Sequence, residues 1–425
     1  MSIRVVITGM GVVAPNGIGL AAFEEALRAG RSGIGHIEAM AEANFACTVA
    51  GVPQGVDALV EAEFEEDERL VMNGSHRYAS LACLEAWRGA GLERPPRDSE
   101  TVDWDTGAIV GTGIGGMDTT AEKVIPLTNA GKVRRIGSTS VEQVMASGVS
   151  ARVSGQFALG NQVTTNSSAC STGTEAIAMG VERIRRGAAV RMLCGGSEAA
   201  THYIWAGFDA MRVLNRRSND APEKASRPMS ASAAGFVPGA GAGILMIESE
   251  ESALARGARI YAEVAGQGIN CGGHRMGGSM TAPNPESVKR CILAALADAD
   301  VEAHEVDAIN GHLTATGADP REVGSWSAAL GRGPGELPPI TSTKSMIGHT
   351  LGAAGAIESV ASVLMLAGGF VHPSINCEDV HPEIERYADS IPHDLQEIDG
   401  MKVIVKAGFG FGDVNACLVF KRWDG

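Results

Sequence analysis

The sequence predicts an α/β protein made of two similar halves, and three observations carry that reading. Short apolar runs rich in β-branched residues alternate with segments of helical periodicity along the whole chain. Low-complexity tracts and long polar linkers are absent from it. The first half is also echoed in the second: Arg4-Val-Val-Ile-Thr-Gly opens the chain and Arg259-Ile-Tyr-Ala-Glu-Val opens a second unit. Each unit carries a small-residue turn running into a Gly/Ala-rich helix, at 166–186 and 341–369. The expected halves are residues 1–255 and 256–425, and a pseudo-twofold axis between them would bring the two turns face to face.

Taken in order, residues 3–8, 106–111, 190–194, 243–247, 260–264, 306–310 and 403–406 read as buried strands. Segments 76–88, 174–186, 285–297 and 356–366 read as helices. The acidic run 61–68 reads as a solvated surface segment. A chain of 425 residues with 44% hydrophobic content can bury a large core. The net charge of -15, with 4% aromatic residues and no dense basic cluster, argues against a nucleic-acid binder. Eight cysteines without a C-x-x-C pair fit a reducing compartment. The N-terminal apolar run is broken by Gly9, Gly11 and Pro15 and reads as a strand, not a signal peptide. No stretch is read as a membrane span, so the cytoplasm is the expected location.

Four segments carry residues suited to chemistry. In Asn166-Ser-Ser-Ala-Cys170-Ser-Thr-Gly, Cys170 stands where a strand signal gives way to a helix. Backbone N–H groups and the helix dipole there favour a thiolate and are expected to lower its pKa. The alternative is a buried structural thiol, but Ala169, Ser171 and Gly173 leave room for a substrate. His312 follows the strand 306–310, either as a catalytic imidazole or as a satisfied structural one, with Thr314 and Thr316 at alternate positions on the same loop. In the second-half turn, Lys344, His349 and Glu358 lie in an otherwise small and apolar stretch, where pairing of Lys344 with Glu358 would offset the cost of burial. In Lys406-Ala-Gly408-Phe409-Gly410-Phe411-Gly412-Asp413-Val-Asn415, the alternating Gly and Phe permit close backbone approach and can aim an N–H at a developing oxyanion. Two weaker signals fall away. Gly111-Thr-Gly113-Ile-Gly115-Gly116 lacks the lysine of a phosphate loop and the dinucleotide spacing, and Cys271-Gly-Gly-His274 has no second ligand pair for a metal.

Together these segments resemble the β-ketoacyl synthases, above all the elongating condensing enzymes of dissociated (type II) fatty-acid synthesis. The resemblance runs from Val6-Ile-Thr-Gly-Met-Gly through Cys170, Phe208-Asp-Ala-Met-Arg212 and Lys224-Ala-Ser-Arg227-Pro228 to Gly410-Phe-Gly, and Ser342-Thr-Lys-Ser-Met-Ile-Gly-His349 is its most specific run. It implies a thiolase fold, a duplicated αβαβα arrangement, and decarboxylative condensation of an acyl group with a malonyl thioester on acyl carrier protein. By motif, Cys170 is then the acyl-accepting nucleophile, His312 and His349 face the malonyl thioester, and Lys344 and Glu358 form a supporting pair. Thr314 and Thr316 would contact pantetheine. The N–H groups of Cys170 and Phe411 would form the oxyanion hole, with Phe411 as gate and Ile114 at the far end of the acyl pocket. Arg134, Arg135 and Arg212 would dock the carrier.

The resemblance implies no resident metal or other cofactor, since phosphopantetheine comes with the carrier protein. It implies a homodimer, or a heterodimer with a related synthase subunit. Two departures stand out: His312-Leu-Thr-Ala-Thr-Gly replaces the usual His-Gly-Thr-Gly-Thr-Pro, and Gly410-Phe-Gly-Asp413-Val-Asn replaces Gly-Phe-Gly-Gly-Thr-Asn. They point to a specialised fatty-acid, polyketide or polyene route. The rival readings are a non-catalytic chain-length-factor type of subunit, which typically lacks the cysteine, and a biosynthetic thiolase, which would carry a second catalytic cysteine in a C-terminal turn.

Overall fold

The computed structural model describes residues 3–425. Along the main path of the sheet the first half supplies β1 (Val5–Ala14), β2 (Thr106–Gly111), β3 (Val163–Thr164), β4 (Arg191–Glu198) and β5 (Gly241–Ser249), with the short strand Gly17–Ile18 paired to β1 off that path. The second half supplies β6 (Ala262–Cys271), β7 (Ala308–Asn310), β8 (Ile340–Thr341), β9 (Val403–Gly410) and β10 (Val414–Lys421). They lie in the order β3-β2-β4-β5-β1 and, continuing from β1, β6-β10-β9-β7-β8. Each half thus places its third, second, fourth, fifth and first strands side by side. Parallel and antiparallel pairings match as well: the pairs β2·β3, β2·β4, β7·β8 and β7·β9 are parallel and the rest antiparallel. The halves join where Val6 pairs with Glu263 and Ile7 with Ala262.

Five helices cover these strands: α1 (Gly74–Gly89), α2 (Thr172–Arg185), α3 (Pro285–Asp298), α4 (Asp319–Leu330) and α5 (Ala354–Gly368). Helices α2 and α5 pack on each other and touch strands of both halves, α1 covers the outer face of the first half, and α3 and α4 cover that of the second. The result is the layered αβαβα order of the thiolase fold. Strand alternation explains why there are three apolar cores. Ile244 and Met246 of β5 face the outer core with Tyr78 and Trp87, whereas Leu245 and Ile247 face the central core with Ile177, Val181 and Val360. Val405 and Val419 face the third core with Val288, Ile292 and Trp326.

Glycine sets the spacing at two decisive places. A Cβ at Gly11 would stand 1.9 Å from the carbonyl oxygen of Ala82, so α1 lies directly on β1. A Cβ at Gly173 would stand 2.6 Å from the backbone nitrogen of Ala356, so α2 and α5 meet at their N-terminal ends. That contact brings the Cys170 and His349 turns together, because each precedes one of these helices.

The expected strand 106–111 and the helix starting at Pro285 match the structure; the strand expected at 306–310 is shorter, Ala308–Asn310, and the one expected at 260–264 starts later and runs on to Cys271. One expectation is corrected. The run 351–368 is long and apolar enough to cross a membrane, yet it is the central helix with its preceding turn, and 89% of it is buried inside the protein.

Candidate active site

Cys170 sits in a single tight turn, Ala169–Ser171, that leads straight into α2. Ala169 adopts a left-handed φ of 49°, a strained backbone for a residue with a Cβ. Hydrogen bonds hold the turn: the Ser171 hydroxyl donates to the carbonyls of Gly408 and Val414, both at 3.0 Å, and the Ser168 N–H donates to the Thr172 hydroxyl at 2.8 Å. The Cys170 thiol is half-buried and opens on a cavity of about 190 Å³. Its walls include Phe208, Phe236, Leu351, Phe409 and Phe411, with His312, His349, Thr314 and Thr316 as polar groups.

The Sγ of Cys170 and one ring nitrogen from each of His312 and His349 lie within 4.8 Å of one another. His349 places Nε2 3.0 Å from Sγ, and its Nδ1 accepts the Leu351 N–H at 3.2 Å. The two imidazoles meet edge to face with ring centres 5.4 Å apart. His312 Nδ1 has no hydrogen-bond partner among the described residues. Burial, with the Lys344 and Lys406 charges, holds both imidazoles well below the usual histidine range. They are neutral N–H donors at neutral pH.

Behind them, Lys344 contacts Glu358 and donates to the His312 carbonyl at 2.6 Å, so the expected pairing of Lys344 with Glu358 is present. The expectation of a depressed thiol pKa is corrected. Burial pushes Cys170 up to about 11, with the Lys344 charge and the Phe411 N–H pulling the other way. The resting group is a thiol.

Two carboxylates hold the His312 loop: Asp319, which closes the segment that carries His312, and Glu322, absent from the sequence reading. Glu322 accepts the N–H groups of His312 at 2.6 Å and Leu313 at 2.8 Å, and Asp319 accepts those of Thr314 at 2.9 Å and Ala315 at 3.0 Å. Burial, reinforced by neighbouring Asp319, raises Glu322 to about 7. This clamp explains how Leu313 and Ala315 stand where glycines are usual: the loop keeps a glycine-like backbone, with φ of 20° and 62°. The Thr314 and Thr316 hydroxyls lie 3.0 Å apart on the cavity wall. A second missed carboxylate, Glu198, accepts from Gly113 N–H at 2.8 Å and from Gly352 N–H at 3.0 Å, which ties the glycine loop of the first half to the His349 turn of the second.

Asp413 likewise takes a left-handed φ of 62° at a glycine position and is fully buried. Its carboxylate accepts from Asn284 N–H at 2.8 Å and His274 N–H at 3.1 Å. It thereby anchors the Phe411 turn to the segment carrying Thr281, Ala282 and Pro283 to the cavity mouth. Phe411 itself stacks obliquely on Phe208, ring centres 6.0 Å apart.

Not every expected residue reaches the site. Ile114 does not line this cavity: its side chain is 41% exposed on the surface of the single chain. Arg134, Arg135 and Arg212 are exposed and take part in none of the ion pairs among the described residues. Cys417 is fully buried within β10 and does not line the cavity. All eight cysteines are free.

Comparison with known proteins agrees with this geometry. The family model described as "Beta-ketoacyl synthase, N-terminal domain" matches residues 2–253, and "Beta-ketoacyl synthase, C-terminal domain" matches residues 261–378. The chain is 34% identical to the 3-oxoacyl-[acyl-carrier-protein] synthase 1 of Haemophilus influenzae over 99% of its own length and 100% of the relative's. Among solved structures, the ishigamide ketosynthase/chain length factor superposes with a TM-score of 0.88 at 31% identity, covering 100% of both chains. A type II PKS ketosynthase, solved in complex with its acyl-carrier protein and bound to the hexaketide, superposes with a TM-score of 0.88 at 29% identity, again over 100% of both chains. By matched domains, whole-length identity and fold, this chain belongs to the β-ketoacyl synthase family.

Proposed function

We propose that the protein condenses an acyl group, held as a thioester on Cys170, with a malonyl thioester borne on acyl carrier protein. The observation that carries this reading is the meeting of the Cys170 thiol with two neutral imidazoles at one cavity, 3.0 Å separating Sγ from His349 Nε2. In the first step the Cys170 sulfur attacks the acyl carbonyl, the carrier thiol leaves, and the thiol proton passes to that leaving group. The oxyanion forms beside the N–H groups of Cys170 and Phe411, and donors placed where charge develops accelerate such steps most. In the second, the malonyl group loses carbon dioxide. The resulting enolate oxygen accepts hydrogen bonds from His312 and His349, which stabilise it more than the ground state. The enolate carbon then attacks the acyl carbonyl and the Cys170 sulfur departs.

Lys344 supports this step by fixing the His312 carbonyl and pairing with Glu358. Thr314 and Thr316 hold the pantetheine arm at the cavity wall, and Phe411 gates the acyl side. Such chemistry calls on no metal or redox cofactor of the protein's own, since the reactive arm arrives on the carrier. Arg134, Arg135 and Arg212, exposed basic residues on an otherwise acidic protein, are the docking residues for the carrier. The carrier is supported by the type II ketosynthase relative seen with its acyl-carrier protein. Assembly as a dimer, with a second copy or a related subunit, and a cytoplasmic location complete the proposal. A non-catalytic role is disfavoured by Cys170, and a thiolase by the burial of Cys417 within a strand. In the test, Cys170→Ala loses condensation but still decarboxylates malonyl-carrier. If it condenses at the wild-type rate, the nucleophile is elsewhere.

A further inference from the structure

The most unusual group near the site is a second buried lysine. Lys406 lies in β9, whose alternate residues Val405, Ala407 and Phe409 face the third core. Its own side chain points the other way, into the layer of α2 and α5. There it is fully buried, with Nζ 3.1 Å from Glu358 Oε2 and donating to the Thr174 hydroxyl at 2.7 Å. Thr174 belongs to the first turn of the helix that Cys170 precedes. Glu358 therefore stands between two ammonium groups, Lys344 on one oxygen and Lys406 on the other, in a cluster whose side chains are at most 1% exposed.

The surroundings are shaped for it. A Cβ at Gly355 would stand 3.1 Å from the Lys406 Nζ and one at Gly408 3.3 Å, so two glycines leave the space the ammonium fills. Two lysines on one carboxylate leave one positive charge unbalanced, and burying a charge is costly unless it is paired and hydrogen-bonded. The other ionisable groups around it are the Cys417 thiol, the two imidazoles and Cys170. Glu198, Asp319 and Glu322 also border the site, but their oxygens are occupied by backbone N–H groups of the glycine loop and the His312 loop.

We propose that Lys406 is a positioning residue of the condensation: it holds Glu358 in place from behind and keeps an uncompensated positive charge in the buried Lys344–Glu358 cluster that backs the His312 turn. The inference rests on the condensing reading above and assigns that site a member to which the sequence reading gave no role. The charge has two consequences for the reaction. It opposes protonation of His312 and His349, so both remain neutral rings that donate one N–H, and it favours the anionic malonyl group and the enolate that follows from it. Burial lowers the Lys406 pKa below its ordinary value, with the Glu358 carboxylate opposing that shift.

The test compares wild type, Lys406→Gln and Lys406→Arg in malonyl-carrier decarboxylation against pH, with Cys170 acylation measured in parallel by mass spectrometry. Glutamine can still donate to Glu358 and Thr174 but carries no charge. It is expected to lower kcat for decarboxylation at least tenfold and to move the acid limb of the profile upward by about one pH unit, since the imidazoles then protonate more easily. Lys406→Arg keeps the charge and should leave the limb in place. Loss of rate in Lys406→Gln with an unmoved limb would mean a structural role only and would overturn the proposal. So would a limb that moves down in Lys406→Arg, which would mean that the native lysine is neutral. Should the glutamine protein fail to fold, nitrogen NMR of the wild-type Lys406 side chain decides the same point: an ammonium signal at pH 7 supports the proposal and an amine signal ends it. A wild-type protein that does not decarboxylate malonyl-carrier at all would instead overturn the condensing reading, separately from Lys406.

Discussion

His349 holds its Nε2 3.0 Å from the Cys170 Sγ while its Nδ1 accepts the Leu351 N–H. In a neutral ring that acceptor bond leaves the proton on Nε2. The imidazole therefore donates toward the sulfur and toward any oxyanion beside it, and it stabilises negative charge without first having to lose a proton.

That arrangement predicts that His312→Ala and His349→Ala cripple decarboxylation more than they slow acylation of Cys170. Each removes one donor from the enolate, worth about 2.7–4 kcal/mol if it behaves as an oxyanion-hole donor does. Single-turnover assays that follow carbon dioxide release and acyl-enzyme formation separately would show this. Normal decarboxylation by either variant would refute the role.

Acid should cost the fold part of its stability through buried His372. Burial lowers this ring from 6.5 to about 4, so between those values the unfolded chain binds a proton that the folded chain refuses. Its contribution is fully present above pH 6.5 and falls as pH drops toward 4. Buried carboxylates such as Glu322, raised to about 7, act in the opposite sense. The useful quantity is thus the difference between wild type and His372→Gln. Urea denaturation should show that gap narrowing by up to about 1.4 kcal/mol per pH unit through this window. A gap independent of pH would contradict the assignment.

The left-handed φ of 62° at Ala315 predicts that Ala315→Gly is tolerated or stabilising, by about 0.5–1 kcal/mol, because the strain on a Cβ outweighs the extra freedom of glycine in the unfolded chain. Thermal melts would settle it. A clear loss of stability would mean that the Ala315 methyl packs more favourably than its backbone is strained.

Arg212 is exposed and outside every ion pair among the described residues, and Arg212→Glu should raise KM for carrier-borne substrates while leaving small thioester mimics unaffected. An equal loss on both would show that the residue shapes the site, a role its positive φ of 60° makes plausible.

Much of this site was legible in the sequence, and particular residues show why. Cys170, His312, Lys344 and His349 stand out because polar or reactive side chains interrupt small and apolar runs, and Phe411 because it sits in a Gly/Phe alternation; the structure brings all five together. The matching strand orders follow from the echo of Arg4-Val-Val and Arg259-Ile-Tyr, though sheet order is a long-range property that no local pattern specifies. Lys406 opens the fourth segment but received no role, because an apolar strand pattern absorbs one polar residue, although a lysine inside a fully buried strand was itself the signal. Glu198 and Glu322 look like ordinary surface acids until the fold turns their oxygens to backbone N–H groups. The direction of the Cys170 shift was misread for a related reason: a helix start is visible in sequence, whereas the burial that outweighs it is not.

The central claim is that Cys170 carries the acyl chain, and one measurement reaches it most directly. Incubation with an acyl-carrier donor followed by intact and peptide mass spectrometry should show one acyl adduct, on Cys170, which malonyl-carrier then discharges as the two-carbon-longer β-ketoacyl product. An adduct on any of the other seven cysteines, or one on Cys170 that malonyl-carrier cannot discharge, would contradict it.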